Sequence, residues 1–235
     1  MIFHVITIFP EMVRAAFCTG VTGRAVGNGI INLDLVYLKA FSQNSYGSVD
    51  DYPYGGGAGL ILQCEPIYLA YNEVLKNCAS DGIRVIFPTP GAPAFTEADA
   101  RELSEEKELI FLCGRYEGVD QRVLDRIVTD RYSIGDYVLS GGELPSLVIM
   151  DAVSRLVPGV LGNSTSADTE SFSNGLLEYP QYTRPEVWRE REAPPILLSG
   201  NHGEVDKWRM RQSIELTQEN RPDMYREWLR KRGIY

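Results

Sequence analysis

The residues best suited to chemistry lie in three glycine-dense stretches: 50–60 (DDYPYGGGAGL), 113–120 (CGRYEGVD) and 132–145 (YSIGDYVLSGGELP). Glycines at this density let a backbone approach a ligand, or turn where a side chain would block it. Serine, tyrosine and carboxylates stand among them. The stretches are therefore either turns alone or the walls of one pocket. Several pocket chemistries are excluded by motif. No strand is followed by GxGxxG, and no GxxxxGK[ST] occurs, which argues against a standard dinucleotide fold and a P-loop NTPase. The usual Gly-rich first loop of common adenosylmethionine-dependent methyltransferases is missing. So is a GxSxG nucleophile elbow.

The elements that must position these stretches follow from periodicity. Residues 2–9 (IFHVITIF) read as a buried strand, and Pro10 opens a short helix, a position where its missing N–H costs nothing. VTGRAVGNG reads as turns, and INLDLVYL alternates as a second strand. Residues 41–59 read as a long loop, of a length that is usually either functional or disordered. EPIYLAYNEVLKNC has helical spacing. RVIFPTP (84–90) is a strand stopped by proline, and Thr96 caps a helix over TEADARELSEE, whose first-turn acids suit the dipole. ELIFLCG (108–114) is a buried strand, 119–129 a helix, 133–139 a short strand, and 144–157 an apolar helix ended by Pro158. This strand–helix alternation predicts an α/β layer with a mainly parallel sheet. In open α/β sheets the ligand crevice lies at the carboxyl ends of strands. Residues 87–91, 113–118 and 134–142 are therefore expected around one crevice. Residues 158–183 are small, polar and aperiodic and read as a linker or lid. Two short helices, about 203–217 and 222–232, form a small helical C-terminal domain.

The chain has 235 residues, 44% of them hydrophobic, which suits a large domain with an appendage. No run approaches the roughly 20 apolar residues of a membrane helix. The start, MIFHVITIFPEM, reads as a strand rather than a signal peptide. A cytoplasmic protein with no membrane partner is expected. The four cysteines are scattered and the only histidines are His4 and His202. Buried free thiols are expected, and no metal site is assigned. The net charge of −9 opposes strong nonspecific nucleic-acid binding, but it is uneven. Residues 184–235 carry 11 basic against 9 acidic groups, whereas residues 1–183 carry 12 against 23. The basic residues sit beside aromatics, as in Lys207-Trp208-Arg209. A solvated helix face and a nucleic-acid surface both remain open for them.

Eight ordered stretches then resemble one family: FPEM, GVTGRAV, VDDYPYGGGAGL, CGRYEGVDQRV, SIGDYVLSGGELP, VSRLVPGVLG, SFSNGLLEYPQYTRPEV and PPILLSGNH. The chain resembles, essentially end to end, the bacterial tRNA (guanine-N1)-methyltransferases of the TrmD family, which methylate guanosine-37 beside the anticodon. The resemblance implies an α/β fold, mainly parallel, with a deep C-terminal trefoil knot of the SPOUT type, plus a small helical C-terminal domain. The implied division is a catalytic domain over 1–160, a linker over 161–175 and a tRNA-binding domain over 176–235. It implies a homodimer with the active site at the subunit boundary, S-adenosylmethionine as cofactor, a magnesium requirement with ligands unassigned, and the tRNA anticodon arm as partner.

By matched position, the cofactor residues implied are Phe87, Pro88, Thr89 and Pro90; Gly114, Tyr116, Glu117 and Gly118; Ser133, Ile134, Gly135, Asp136, Tyr137, Val138 and Leu139; and Gly141, Gly142 and Pro145. Residues implied on the tRNA side are Arg24, Asp50, Tyr116, Ser166, Lys207, Arg209 and Arg211. Removing the guanine N1 proton builds charge on O6, so a carboxylate base and a cationic donor form the expected pair. The resemblance implies Arg155 as donor, although read alone it is a helix C-terminal cation complementing the dipole. Glu117 is a further implied catalytic acid, although read alone it is equally an acid at the N-terminus of the helix that begins at Val119. The family's base is an aspartate before Ser-Phe; here Glu170 stands at that place, with Asp168 as rival. A second departure is Thr89-Pro90-Gly91-Ala92, where the family usually has Ser-Pro-Gln-Gly. Two alternatives stay open: a noncatalytic RNA-binding relative with an altered base, and an α/β enzyme acting on a small nucleotide.

Overall fold

Strand β1 (Ile2–Thr7) sets the plan of the amino-terminal unit. Its alternate residues Phe3 and Val5 enter one buried cluster, while Ile6, with Ile8 beyond the strand, enters another. A strand buried on both faces needs apolar residues at consecutive positions, which is what IFHVIT supplies. The neighbouring strand β6 (Glu108–Leu112) divides the same way: Leu109 and Phe111 to one side, Ile110 and Leu112 to the other. Phe3 and Phe111 meet edge to face with centroids 5.9 Å apart. Each such fully buried side chain contributes about 1.5–3 kcal/mol.

The computed structural model describes residues 1–78, 82–162 and 170–234. They fall into two compact units, Met1–Gly162 and Asn163–Tyr235. In the first, β2 (Asn32–Tyr37), β1, β6, β5 (Arg84–Pro88) and β7 (Asp130–Tyr132) lie side by side in that order, and every neighbouring pair is parallel. Helices α1 (Pro10–Phe17), α2 (Gly20–Gly27), α4 (Glu97–Ser104) and α6 (Glu143–Leu156) contribute to the cluster on one face. Helices α3 (Cys64–Asn77) and α5 (Gln121–Ile127) cover the other. The expected mainly parallel α/β layer is therefore present. A short antiparallel ladder, β3 (Asp50–Asp51) with β4 (Ile61–Leu62), interrupts what the sequence reads as one long loop.

Three local expectations need correction. VTGRAVG is helix α2, not turns. Its glycines weaken helical propensity, yet a Cβ at Gly23 would lie 2.5 Å from the Cys18 backbone, so the tight corner after α1 demands glycine there. Burial of Thr22 and Ala25 then overrides propensity. The last strand of the parallel sheet is Asp130–Tyr132, ahead of the strand expected within 133–139. It stops as Gly135, at φ 143°, turns the chain away. Of the cysteines, only Cys113 is buried; Cys18 is exposed at the C-cap of α1 and the other two are intermediate. The Thr96 cap is present as a full capping box with Asp99.

The second unit contains the hairpin β8 (Val187–Trp188) and β9 (Arg191–Glu192), which the sequence reading missed, and helices α7 (His202–Asn220) and α8 (Pro222–Lys231). The hairpin's turn residues Arg189 and Glu190 both have positive φ, a conformation for which their types give no signal. Helix α7 runs three residues past its expected end, to Asn220. The buried Thr217 hydroxyl donates to Ser213 O at 2.6 Å and accepts from Leu177 N–H at 2.8 Å, tying the segment after residue 170 onto α7.

Candidate active site

The carboxyl ends of β5, β6 and β7 each release a loop, and hydrogen bonds lace the three loops together. Thr89 N–H donates to Tyr132 O at 2.9 Å, Ser133 N–H to Pro93 O at 2.8 Å, and Phe95 N–H to Ser133 O at 2.8 Å. Gly142 N–H donates to Gly114 O at 2.8 Å, joining the start of α6 to the end of β6. Between them lies a cleft of about 320 Å³, near the lower end of the range for small-molecule sites.

A side chain would crowd several walls. A Cβ at Gly142 would meet Cys113 Cα and Gly114 N at 2.8 Å, both backbone atoms. One at Gly114 would press on the Phe87 ring at 3.1 Å, and one at Gly141 would overlap the Arg115 side chain. At Gly135 it would strike the Tyr137 ring at 2.6 Å. The walls are therefore backbone with an apolar face from Phe87, Ile134, Val138 and Leu139.

The structure brings every residue of the cofactor set implied by the resemblance to the lining of this cleft except Asp136, which is exposed beside it. Arg115 and Ser140, inside the stretches expected around the crevice, line it too, as does Tyr132 just outside them; none of the three was singled out as a site residue. Arg115 lies inside the quoted CGRYEGVD, so the stretch carried the signal but the side chain did not. Its partner explains its role. The fully buried Glu143 accepts from Arg115 Nε at 2.8 Å and from Thr7 Oγ1 at 2.7 Å. This pins the 115 loop, β1 and α6 to one another.

The loop after β6 also docks on the 50–62 segment. Glu117 N–H donates to Leu60 O at 2.9 Å and Leu62 N–H to Gly118 O at 3.0 Å. Glu117 itself packs over Gly59, where a Cβ would come within 2.6 Å of its Cγ. Tyr116 sits at φ 59° and is half exposed. A non-glycine held there stores strain, a common feature of functional loops. Burial, and then the Asp50 carboxylate beside it, push its phenol pKa up. Asp50, implied on the tRNA side, is thus a neighbour of Tyr116.

The remaining implied residues lie elsewhere. Arg24 is exposed on α2. Arg155 is half-buried in the last turn of α6, ten residues beyond Pro145 in the cleft, or about 15 Å along a helix. It does not line the cleft of its own chain. In the second unit, Glu170 lines a concavity with Arg209 and Glu178. Its carbonyl accepts from Ser173 Oγ at 2.7 Å. Lys207 is exposed and paired with Glu204 at 2.7 Å, Arg211 is exposed, and Arg209 lies over the Tyr179 ring at 4.9 Å. Ser166 and Asp168 fall outside the described residues.

A parallel α/β sheet whose carboxyl-edge loops enclose a glycine-walled, largely apolar cleft defines a class: α/β proteins that hold a small molecule at the strand ends. Comparison with known proteins narrows it. The chain belongs to the tRNA (Guanine-1)-methyltransferase TrmD family, whose model matches residues 1–227. It is 49% identical over 231 residues to a tRNA (guanine-N(1)-)-methyltransferase of Lachnospira eligens, covering 98% of each chain. It is 46% identical to one of Lachnoclostridium phytofermentans (97% of this chain, 92% of the other) and 44% to one of Clostridioides difficile (97% and 98%). Among the described residues, no helix is long and apolar enough to cross a membrane.

Proposed function

We propose that this protein transfers a methyl group from S-adenosylmethionine to N1 of guanosine-37 in tRNA. The observation that carries the reading is the coincidence of two independent facts. The family match covers nearly the whole chain, and the loops that carry its glycines meet in one cleft. The cleft fits the methyl donor. Its glycine walls leave room where a Cβ would fill the space, and Phe87, Ile134 and Leu139 offer apolar surface to an adenine. Loop backbone groups stand ready for the polar edges of the molecule. When bound, the donor supplies an electrophilic methyl on sulfonium.

The chain's own residues do the rest. Glu170 takes the N1 proton of guanine, and Arg155 donates to O6 as charge builds there. Glu117 and Tyr116 border the donor cleft from the loop after β6, and Tyr116 offers a face on which an extracted base stacks. Magnesium belongs to this reading as a requirement for activity, with no ligands assigned.

The working form in this reading is a homodimer with each active site at the boundary between copies, in the cytoplasm. Arg155 supports it, since its helix carries it about 15 Å from its own cleft. Exposed Leu144 and Val148 on α6, with Tyr137 and Val138 at the cleft rim, form apolar surface of the kind a partner covers. The reading also includes the trefoil knot. The lacing of 133 between 93 and 95, and of 142 onto 114, is compatible with the chain after β7 being drawn under the loop after β5. The tRNA anticodon arm is assigned to residues 176–235, with Arg24 and Asp50 contributing from the first domain (1–160) and the linker at 161–175 between the two.

The test is methyl incorporation from labelled S-adenosylmethionine into tRNA carrying guanosine at 36 and 37, against a 37-adenosine control. Incorporation only into the first is expected. Equal incorporation, or none into either, overturns the reading.

A further inference from the structure

At the amino edge of the sheet, opposite the cleft, three residues from distant parts of the chain converge. His4 lies on β1, Glu108 begins β6, and Cys78 caps the C-terminus of α3. His4 and Glu108 are buried and Cys78 is partly so. A ring nitrogen of His4, the Cys78 sulfur and a Glu108 carboxylate oxygen all lie within 4.8 Å of one another. We propose that His4, Cys78 and Glu108 bind a zinc ion, with Asp34 fixing His4 from behind and a water completing the site.

The geometry argues for this set. His4 Nδ1 is 2.8 Å from Asp34 Oδ2. An ionised carboxylate only accepts, so Nδ1 carries the proton and Nε2 is left with its lone pair. Nε2 faces the Cys78 sulfur at 3.8 Å. A tetrahedral zinc with bonds of about 2.0–2.1 Å to nitrogen and 2.3 Å to sulfur separates those two ligands by about 3.6 Å, close to the distance present, and the Glu108 oxygen closes in from within 4.8 Å. A carboxylate behind a histidine ligand is the usual outer partner of such sites, setting tautomer and ring orientation. One nitrogen, one sulfur and one oxygen suit a borderline ion, whereas magnesium and calcium refuse the thiolate. The thiol binds as thiolate and releases its proton to solvent. The ion would tie the end of α3 to β1 and β6.

The site is separate from methyl transfer, so the test reads metal. Untagged protein is incubated with zinc, desalted and analysed for metal, and in parallel titrated with cobalt(II). One zinc per chain is expected, with a thiolate-to-cobalt charge-transfer band in the near ultraviolet. Cys78→Ala should lose both, while Cys64→Ala and Cys18→Ala keep both. Asp34→Asn lies outside the core and should weaken zinc about tenfold or more. Magnesium should not compete. Absence of zinc uptake by the wild-type chain, or uptake and charge-transfer band unchanged in Cys78→Ala and Asp34→Asn, overturns the proposal.

Discussion

Arg115 and Glu143 form an ion pair, Nε to Oε2 at 2.8 Å, between a loop residue that lines the cleft and a fully buried carboxylate at the first position of α6. The Arg115 guanidinium also lies over the Phe9 ring at 4.5 Å. Removing one partner of a buried pair leaves the other charge uncompensated, which costs about 3–5 kcal/mol. Arg115→Ala should therefore lower stability by about that amount in denaturant unfolding and weaken S-adenosylmethionine binding with it. Thr7→Val, which removes only a neutral donor to Glu143, should cost about 1–3 kcal/mol. A neutral result for Arg115→Ala would mean that the pair does not position the loop.

Gly142 makes the most constrained approach in the cleft. An added methyl meets two backbone atoms at 2.8 Å, and its N–H already bonds Gly114 O. Neither neighbour can rotate aside. Gly142→Ala should reduce S-adenosylmethionine affinity at least about tenfold by calorimetry, since a cleft wall must move. Gly91→Ala, where nothing lies within 4 Å of the new methyl, should bind as the wild type does.

What the sequence made legible follows from where the information lies. Strands buried on both faces, such as ELIFL, announce themselves by composition, and the capping box at Thr96 by residue type. Loops at strand ends could be placed around one crevice because sheet topology fixes that edge. Arg115 escaped because its role depends on Glu143, 28 residues away. Helix α2 escaped because its glycines answer to the Cys18 backbone rather than to propensity. The cluster of His4, Cys78 and Glu108 escaped for the same reason: no local spacing links residues brought together by parallel strand order. The hairpin turn at Arg189-Glu190 lacks the Asn or Gly that signals one.

Asp130 gives the fold a defined acid sensitivity. Burial alone would raise its pKa, but the Arg84 guanidinium, 3.0 Å from Oδ2, and the Thr129 hydroxyl, at 2.6 Å, hold it below the usual carboxylate value. A depressed folded pKa contributes stability that is present above about pH 4 and lost as pH falls through the folded value. Asp130→Asn should cost about 1–3 kcal/mol at neutral pH and flatten the decline of melting temperature below pH 4. An unchanged acid limb would show that the Arg84–Asp130 pair does not set it.

The three cations of α7 implied for tRNA are not equivalent. Arg211 and Lys207 are exposed, although Lys207 is already paired with Glu204. Arg209 is held between the Tyr179 ring and Asp206, with its Nε buried. Arg211→Ala should lower tRNA affinity and reduce the salt slope by about 0.7–0.9 for each phosphate the side chain neutralises. Arg209→Ala should chiefly lower thermal stability, because it removes the stacking on Tyr179. A full salt slope in the Lys207→Ala, Arg211→Ala double variant would remove α7 from the RNA surface.

Glu170 carries the sharpest chemical expectation of the proposed reading, which puts this longer acid where the family keeps an aspartate. Its backbone is anchored: the Glu170 carbonyl accepts from both the N–H and the hydroxyl of Ser173, at 3.3 and 2.7 Å. The added methylene is therefore carried by a side chain leaving a fixed turn. Glutamate and aspartate have similar intrinsic acidity, so the substitution changes reach and leaves basicity nearly unchanged. Glu170→Gln keeps the shape and removes the base. It should slow single-turnover methyl transfer by about 10²–10⁴ while S-adenosylmethionine affinity stays within a few-fold. Glu170→Asp should keep much of the rate, and Asp168→Ala nearly all of it. If Glu170→Gln transfers methyl at the wild-type rate while Asp168→Ala does not, the proton goes to Asp168, and the family's aspartate corresponds to that residue instead.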